Sequence, residues 1–154
     1  MNGNLFVNLE NKFKAKTDNE ITQLALESLA EIFDALSGFD DGKSFQIALV
    51  AAKIGVGGDG EINEKEKSLI DNVLGKVWTG PMQLVYDFLN CPIEDFDYAL
   101  IQSIVNMGNQ FAEPFLNFMF CFAYIDNELE CDVAEKLESI FGITLLMHCF
   151  QSDD

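Results

Sequence analysis

The chain has 154 residues, and its 26 acidic residues against nine basic ones give a formal net charge of -17. All nine basic residues are lysines, so the chain has neither the cationic surface that nucleic acids and anionic membranes require nor the arginines that commonly clamp phosphoryl groups. The hydrophobic fraction of 49% is ordinary, and a chain of this length buries enough surface to fold as one domain without a disulfide or structural metal.

Apolar residues at helical spacing, together with capping residues, predict an all-α fold of about seven helices. Thr17 and Glu20 have the spacing of a capping box at the start of the first helix, and Asn63 and Glu66 have the same spacing at the third. The second helix is apolar on nearly all sides and is expected to be buried. No stretch of useful length shows the alternation of apolar and polar residues that is typical of a β-strand. The predicted helices cover approximately 17–36, 44–56, 63–77, 82–89, 94–107, 111–125 and 132–141.

Turn-forming residues separate the early helices. Asp40-Asp41-Gly42 is predicted to be a turn, and a cluster of glycines within 55–60 is predicted to break the chain after the second helix. Further along, four phenylalanines recur every three or four residues and form one helical stripe. Core packing is the expected role of this stripe, and a partner groove or an apolar ligand pocket is the alternative. The stripe consists of Phe111, Phe115, Phe118 and Phe122.

The number and spacing of the cysteines indicate whether the cellular compartment is oxidising or reducing. They are too widely spaced for a CxxC pair, and four in a chain of this length do not make a disulfide framework. We expect them to pack as small buried hydrophobes in a reducing, cytoplasmic environment. The N-terminus has no basic segment followed by an apolar one, so no signal peptide is expected. The cysteines are Cys91, Cys121, Cys131 and Cys149.

An internal repeat is visible when the sequence is aligned with itself at a shift of 67 residues, without a gap. Each copy has a buried helix, an acidic turn and an amphipathic helix that ends in glycine; the copies cover roughly 44–75 and 111–142. Two such hairpins are expected to bury their apolar faces against each other in one bundle-like domain, 17–150, between a loosely ordered lead-in, 1–16, and an acidic tail, 151–154. The aligned pairs include Asp59 with Asp126, Glu61 with Glu128, and Gly75 with Gly142.

The two acidic turns are the candidate functional sites. In the first, Asp59-Gly60-Glu61-Ile62 followed by Glu66 has the pattern of the second half of an EF-hand loop. The oxygen ligands that the first half of such a loop needs are missing, because glycines occupy those positions. The second turn has Val133 where the bidentate glutamate belongs. A standard EF-hand is therefore rejected for both turns.

Two interpretations of these acids remain open. Carboxylates from both turns repel one another if the halves pack as a pseudo-symmetric pair, and a hard divalent cation such as calcium or magnesium relieves that repulsion. The alternative is that acids near helix N-termini cap free N–H groups and interact favourably with the helix dipole, with no metal present. The candidate metal ligands are Asp59, Glu61, Glu66, Asp126, Glu128, Glu130 and Asp132.

These residues resemble the TerB family, a tellurite-resistance-type helical domain that also occurs at the N-terminus of a membrane-anchored DnaJ-like co-chaperone. The family pattern is an apolar helix, then Ala-Asp-Gly-x-Ile-x-x-x-Glu, then an amphipathic helix, with a second related copy later. The resemblance covers about residues 20–142. It departs from the pattern at Gly58, which replaces alanine, at Asn127, which replaces glycine, and at Val133, which replaces the second glutamate.

The resemblance implies an all-helical bacterial domain of about seven helices, with a role in stress response, metal-linked sensing or protein interaction, and no characterised enzymatic activity. We therefore expect a non-enzymatic cytoplasmic protein whose partners are proteins with a basic or neutral surface, without membrane insertion. The alternatives are a metal-free structural or regulatory binding protein and a hydrolase that uses paired carboxylates.

Overall fold

The computed structural model describes residues 15–56 and 62–125, and these residues are all-helical, as predicted. The described part contains six α-helices and, after the third, a short 3-10 helix at Leu74–Lys76. The predicted helix at 132–141 and the tail at 151–154 lie outside the described residues, as does most of the predicted lead-in. The helices are α1 Asp18–Ala35, α2 Asp41–Val56, α3 Glu64–Val73, α4 Met82–Asn90, α5 Asp95–Val105 and α6 Asn109–Tyr124.

Helix α6 is the centre of the core and packs mainly against α1 and α2. Its four phenylalanines, at 111, 115, 118 and 122, are all buried, so the predicted core stripe is confirmed. The rings of Phe118 and Phe122 meet edge to face, with centroids 5.1 Å apart, which is a favoured aromatic geometry. Pro114 is the sixth residue of the helix, beyond the first turn where it was expected, so it removes one backbone donor from the helix interior. α6 follows Gly108, whose φ of 147° favours glycine.

The first helix begins at the predicted capping box. Thr17 Oγ1 accepts a hydrogen bond from the Glu20 backbone N–H at 3.1 Å, and Glu20 Oε1 accepts one from the Thr17 backbone N–H at 2.9 Å. Hydrogen bonds to the Glu20 carboxylate, first from the Thr17 backbone and then from the Thr17 side chain, lower the pKa of Glu20. The box satisfies two amide donors that no intrahelical carbonyl reaches.

The second helix begins earlier than predicted, and the predicted turn at Asp40-Asp41-Gly42 is wrong. Asp40 Oδ1 accepts a hydrogen bond from the Lys43 backbone N–H at 2.7 Å, and the Asp40 carbonyl accepts one from Ser44 at 3.0 Å. Asp40 is therefore the N-cap of α2, and Gly42 lies inside its first turn. The aspartate and glycine residues that favour a turn also suit a helix start.

The predicted end of the second helix at Val56 is confirmed, and Gly55, which belongs to the glycine cluster expected to break the chain, lies inside α2. One further boundary differs from the sequence prediction. The third helix ends at Val73 rather than near Val77, because the backbone N–H groups of Val77 and Trp78 both donate to the Leu74 carbonyl and tighten the chain into the 3-10 turn. Val77 is consequently exposed.

A stacked aromatic pair fixes the segment after this turn against α2. The rings of Phe45 and Trp78 are nearly parallel, with an interplanar angle of 4° and centroids 5.3 Å apart. Trp78 Nε1 donates a hydrogen bond to the Pro81 carbonyl at 2.9 Å. The indole lies so close to Gly80 that a Cβ atom there would be 2.6 Å from the Trp78 ring. Glycine at position 80 therefore allows the chain to fold over the indole.

The two cysteines in the described residues differ. Cys121 is buried in α6, as expected, whereas the prediction for Cys91 is wrong, because this residue is exposed at the end of α4 and its Sγ donates to the Asp87 carbonyl at 3.2 Å. Cys131 and Cys149 lie outside the described residues. Within residues 15–56 and 62–125, no helix combines the length and the apolar character needed to cross a bilayer.

Candidate functional site

The C-terminal ends of α2 and α6 are in direct contact. A Cβ atom placed on Gly55 would lie 2.6 Å from the Met119 carbonyl oxygen and 2.9 Å from Phe122 Cβ. These distances are shorter than real Cβ contacts allow, so the absence of a side chain at Gly55 permits the approach. The acidic segment 57–61 follows α2 directly, and the segment from 126 onward follows Ile125, just after α6.

The contacting residues Gly55 and Phe122 are also equivalent in the internal repeat, since 67 residues separate them. Shifting the bounds of α2 by the same interval gives 108–123, within one residue of the bounds of α6. Contact between equivalent residues is the pattern that a two-fold relationship between two packed units produces. The two acidic segments therefore leave the described helices from one place in the fold.

The first acidic segment leads into α3 through the second predicted capping box, which the structure confirms. Asn63 Oδ1 accepts a hydrogen bond from the Glu66 backbone N–H at 2.8 Å, and Glu66 Oε1 accepts one from the Asn63 backbone N–H at 3.1 Å. Glu66 is only 7% exposed. A carboxylate at this depth requires hydrogen-bond partners, and the cap supplies one of them.

Glu66 is the one candidate metal ligand that lies within the described residues, and its contacts include the helix cap. The other candidates lie outside the described residues: Asp59, Glu61, Asp126, Glu128, Glu130 and Asp132. Among the residues that the structure describes, no three His, Cys, Asp or Glu side chains are grouped so that they could hold a metal ion.

A polar groove of about 200 Å³ lies beside Ile125, between the starts of α1 and α3. Its lining includes Asp18 and Thr22 from α1, Glu64 and Ser68 from α3, and Ile125 after α6. The groove therefore adjoins both the entry into α3 and the end of α6, where the two acidic segments connect. The two capping boxes predicted where α1 and α3 begin, but nothing in their local pattern indicated that the two helix starts share a groove.

One ion pair crosses this groove. Lys65 Nζ lies 3.7 Å from Asp18 Oδ2, and both side chains are about half exposed. Such a pair contributes at most about 1 kcal/mol, and salt weakens it further. Lys65 therefore compensates part of the acidic charge at the groove without closing it.

A second polar contact joins α3 to α4. The Tyr86 hydroxyl donates a short hydrogen bond to Asp71 Oδ1, and Lys67 Nζ lies 5.4 Å from the centre of the Tyr86 ring. Burial, followed by the hydrogen bond to Asp71 and its negative charge, raises the pKa of Tyr86 to about 12. A phenol with this pKa stays protonated at neutral pH, so it serves here as a hydrogen-bond donor between helices.

A buried ion pair that sequence reasoning missed joins α2 to α5. Lys53 Nζ lies 2.8 Å from Asp97 Oδ2 and 4.9 Å from the centre of the Phe88 ring. The same carboxylate oxygen accepts the Glu94 backbone N–H at 2.9 Å, as part of the cap of α5. The available signal was a lysine within the otherwise apolar run of α2, which requires a partner when buried. Its partner is 44 residues away in the chain, beyond the reach of any local pattern.

Comparison of the chain with protein-family models, with curated proteins and with solved structures gives no match.

Proposed function

We propose that the chain is a non-enzymatic, TerB-like helical module that binds a protein partner and holds a divalent cation between its two acidic turns. The observation that carries the proposal is the contact of Gly55 with Phe122. This contact joins equivalent positions of the two repeat copies, each close before an acidic turn. It supports an arrangement in which carboxylates from both copies approach one another.

The chemistry of these turns favours a hard cation. The first turn contributes Asp59 and Glu61, and the second contributes Asp126 and Glu128. Residues 57–63 and 126–135 contain no lysine, so the negative charges of the two turns lack a cation within the turn itself. Calcium and magnesium prefer carboxylate oxygens of this kind. The Glu66 carboxylate, held at the start of α3 by Asn63, borders the same region.

Among the described residues, Glu20 and Tyr86 have shifted pKa values, and the causes of both shifts favour a binding role over catalysis. The pKa of Glu20 is lowered by the cap that begins α1, and the pKa of Tyr86 is raised by burial and by its bond to Asp71. A carboxyl group that acts as a general acid near neutral pH needs a raised pKa. Both groups instead have shifts explained by contacts that hold helices in place. The bacterial, cytoplasmic, stress-response setting is proposed from the TerB resemblance alone.

Thermal unfolding of the EDTA-treated protein tests the cation. We expect calcium or magnesium to raise the melting temperature, because a ligand at 100 times its Kd adds about 2.7 kcal/mol of stability. The variants Asp59→Asn and Asp126→Asn should each abolish the shift. Glu27→Gln, which removes an exposed acid from α1, is the matched control and should retain the shift.

Two results would decide against the cation. One is a shift of the same size with sodium chloride at matched ionic strength, which reports general screening of the charge of -17. The other is an equal shift in Asp59→Asn, Asp126→Asn and the unmodified chain. Either outcome favours the metal-free interaction module, in which the acids of the turns only cap helices.

A further inference from the structure

Helix α5 and the turn that follows it expose an apolar stripe. Phe96, near the start of the helix, is 70% exposed, and Met107, two residues after the helix ends at Val105, is 60% exposed. Between them, on the same face, are Leu100, which is partly buried, and Ser103, which is exposed. We name these four residues the α5 stripe. The helical part of the stripe, from Phe96 to Val105, is about 14 Å long, from a rise of about 1.5 Å per residue.

The α5 stripe is electrically neutral in a strongly charged protein. No charged residue occurs between Asp97 and Glu113, although charged residues make up 23% of the chain. Asp97 is buried with Lys53, so the ion pair contributes no free charge to this face. A large aromatic and a methionine left in water on an uncharged helix face are typical of a surface that contacts another protein.

The border of the stripe is acidic at one end only. Glu94 and Asp95, both exposed, lie immediately before Phe96 at the start of α5. At the other end, Asn106 and Gln110 are exposed and uncharged. A second copy of the chain is a poor occupant, because two molecules with a charge of -17 each repel one another. The distribution of charge instead matches a basic partner.

We propose that the α5 stripe docks an amphipathic helix of a basic partner protein, with Phe96 as the main anchor and with lysine or arginine side chains of the partner facing Glu94 and Asp95. This inference deepens the proposed function by specifying the partner that the module binds. Helices dock through apolar residues at i, i+3 or i+4, and i+7, and a stripe whose helical part is longer than two turns accommodates one such set. Opposite charges at one end fix the direction of the bound helix and speed association.

A synthetic amphipathic peptide of leucine and lysine, with a fluorescent label, tests the proposal by anisotropy with the full chain at physiological salt. Phe96→Ser should weaken binding about tenfold or more, as expected for an aromatic anchor, and Met107→Ser should weaken it less. Leu84→Ser is the matched control, since Leu84 is a large apolar residue that is 57% exposed on a different helix, α4. Asp95→Asn should weaken binding, whereas Glu27→Gln should not. Circular dichroism confirms that each variant remains helical.

Several outcomes would overturn the docking proposal. They are the absence of peptide binding, equal binding of a scrambled peptide with the same lysine content, an equal loss in Phe96→Ser and Leu84→Ser, and self-association that Phe96→Ser abolishes. The measurement is made both in EDTA and with calcium. If the peptide does not bind but the cation still raises the melting temperature, only the docking proposal for the α5 stripe is contradicted. If the peptide binds but the cation does not raise the melting temperature, only the cation site is contradicted.

Discussion

Lys53 Nζ lies 2.8 Å from Asp97 Oδ2, and both side chains are buried where α2 meets α5. Replacing Asp97 with asparagine leaves the lysine charge buried without its counter-ion. We expect Asp97→Asn to lower the free energy of unfolding by about 3–5 kcal/mol, as for other buried pairs that lose one partner. Urea unfolding measures this loss.

The neighbouring exposed acid provides the control, because Asp95→Asn should change stability by less than about 0.5 kcal/mol. A loss below about 1 kcal/mol in Asp97→Asn would show that the pair is well solvated.

The contact between α2 and α6 predicts an intolerance to alanine at position 55. A methyl group there would meet the Met119 backbone oxygen at 2.6 Å, and a backbone atom cannot move aside as a flexible side chain can. We expect Gly55→Ala to destabilise the protein by about 1–3 kcal/mol, despite the better helix propensity of alanine.

Denaturant unfolding of Gly55→Ala is compared with that of Gly38→Ala, since a Cβ atom on Gly38 would meet nothing within 4 Å. The control should change stability by less than about 1 kcal/mol. Equal stability of both variants would contradict close packing at the point where the repeat copies meet.

The contact of Tyr86 with Asp71 predicts that the Tyr86 phenol ionises at a higher pH than an ordinary tyrosine. The folded state raises the pKa of Tyr86 from 10.0 to about 12, so it favours the protonated form. The stability from this contact is therefore fully present below pH 10.0 and is lost as the pH rises towards about 12.

Ultraviolet absorbance between about pH 9 and 12 follows tyrosinate formation, and circular dichroism confirms that the helices persist. Asp71→Asn removes the negative charge next to the hydroxyl and should shift the ionisation of Tyr86 to lower pH. Tyr86→Phe should remove this contribution from the titration curve. If Asp71→Asn titrates like the unmodified chain, the hydrogen bond does not form in solution.

The sequence predicted those features that residues close together in the chain determine. The capping boxes of Thr17 with Glu20 and of Asn63 with Glu66 each span one helical turn, and their hydrogen bonds form as the spacing indicates. The phenylalanine stripe of α6 follows from helical periodicity in the same way. Asp40 was misinterpreted because aspartate before glycine suits both a turn and a helix start.

Features that depend on distant segments were not predictable from one sequence. Lys53 and Asp97 are 44 residues apart, and the polar groove combines side chains from α1 and α3 with Ile125. Gly55 has an ordinary position in the sequence, next to other glycines, and its role follows from what packs against it. In the candidate site, the cap at Glu66 was predicted and is observed, whereas the meeting of α2 and α6 required three-dimensional information beyond the alignment of the two copies.

The chain has a single tryptophan, Trp78, which is stacked on Phe45 and covered by the turn at Gly80. The tryptophan emission of the folded protein therefore comes from one side chain at the junction of α2 with the segment before α4. Trp78 is half-buried, so separation of that junction should expose the indole further to water and change the emission. The α5 stripe and the polar groove contain no tryptophan, so a change in tryptophan emission on binding there would report movement transmitted to this junction.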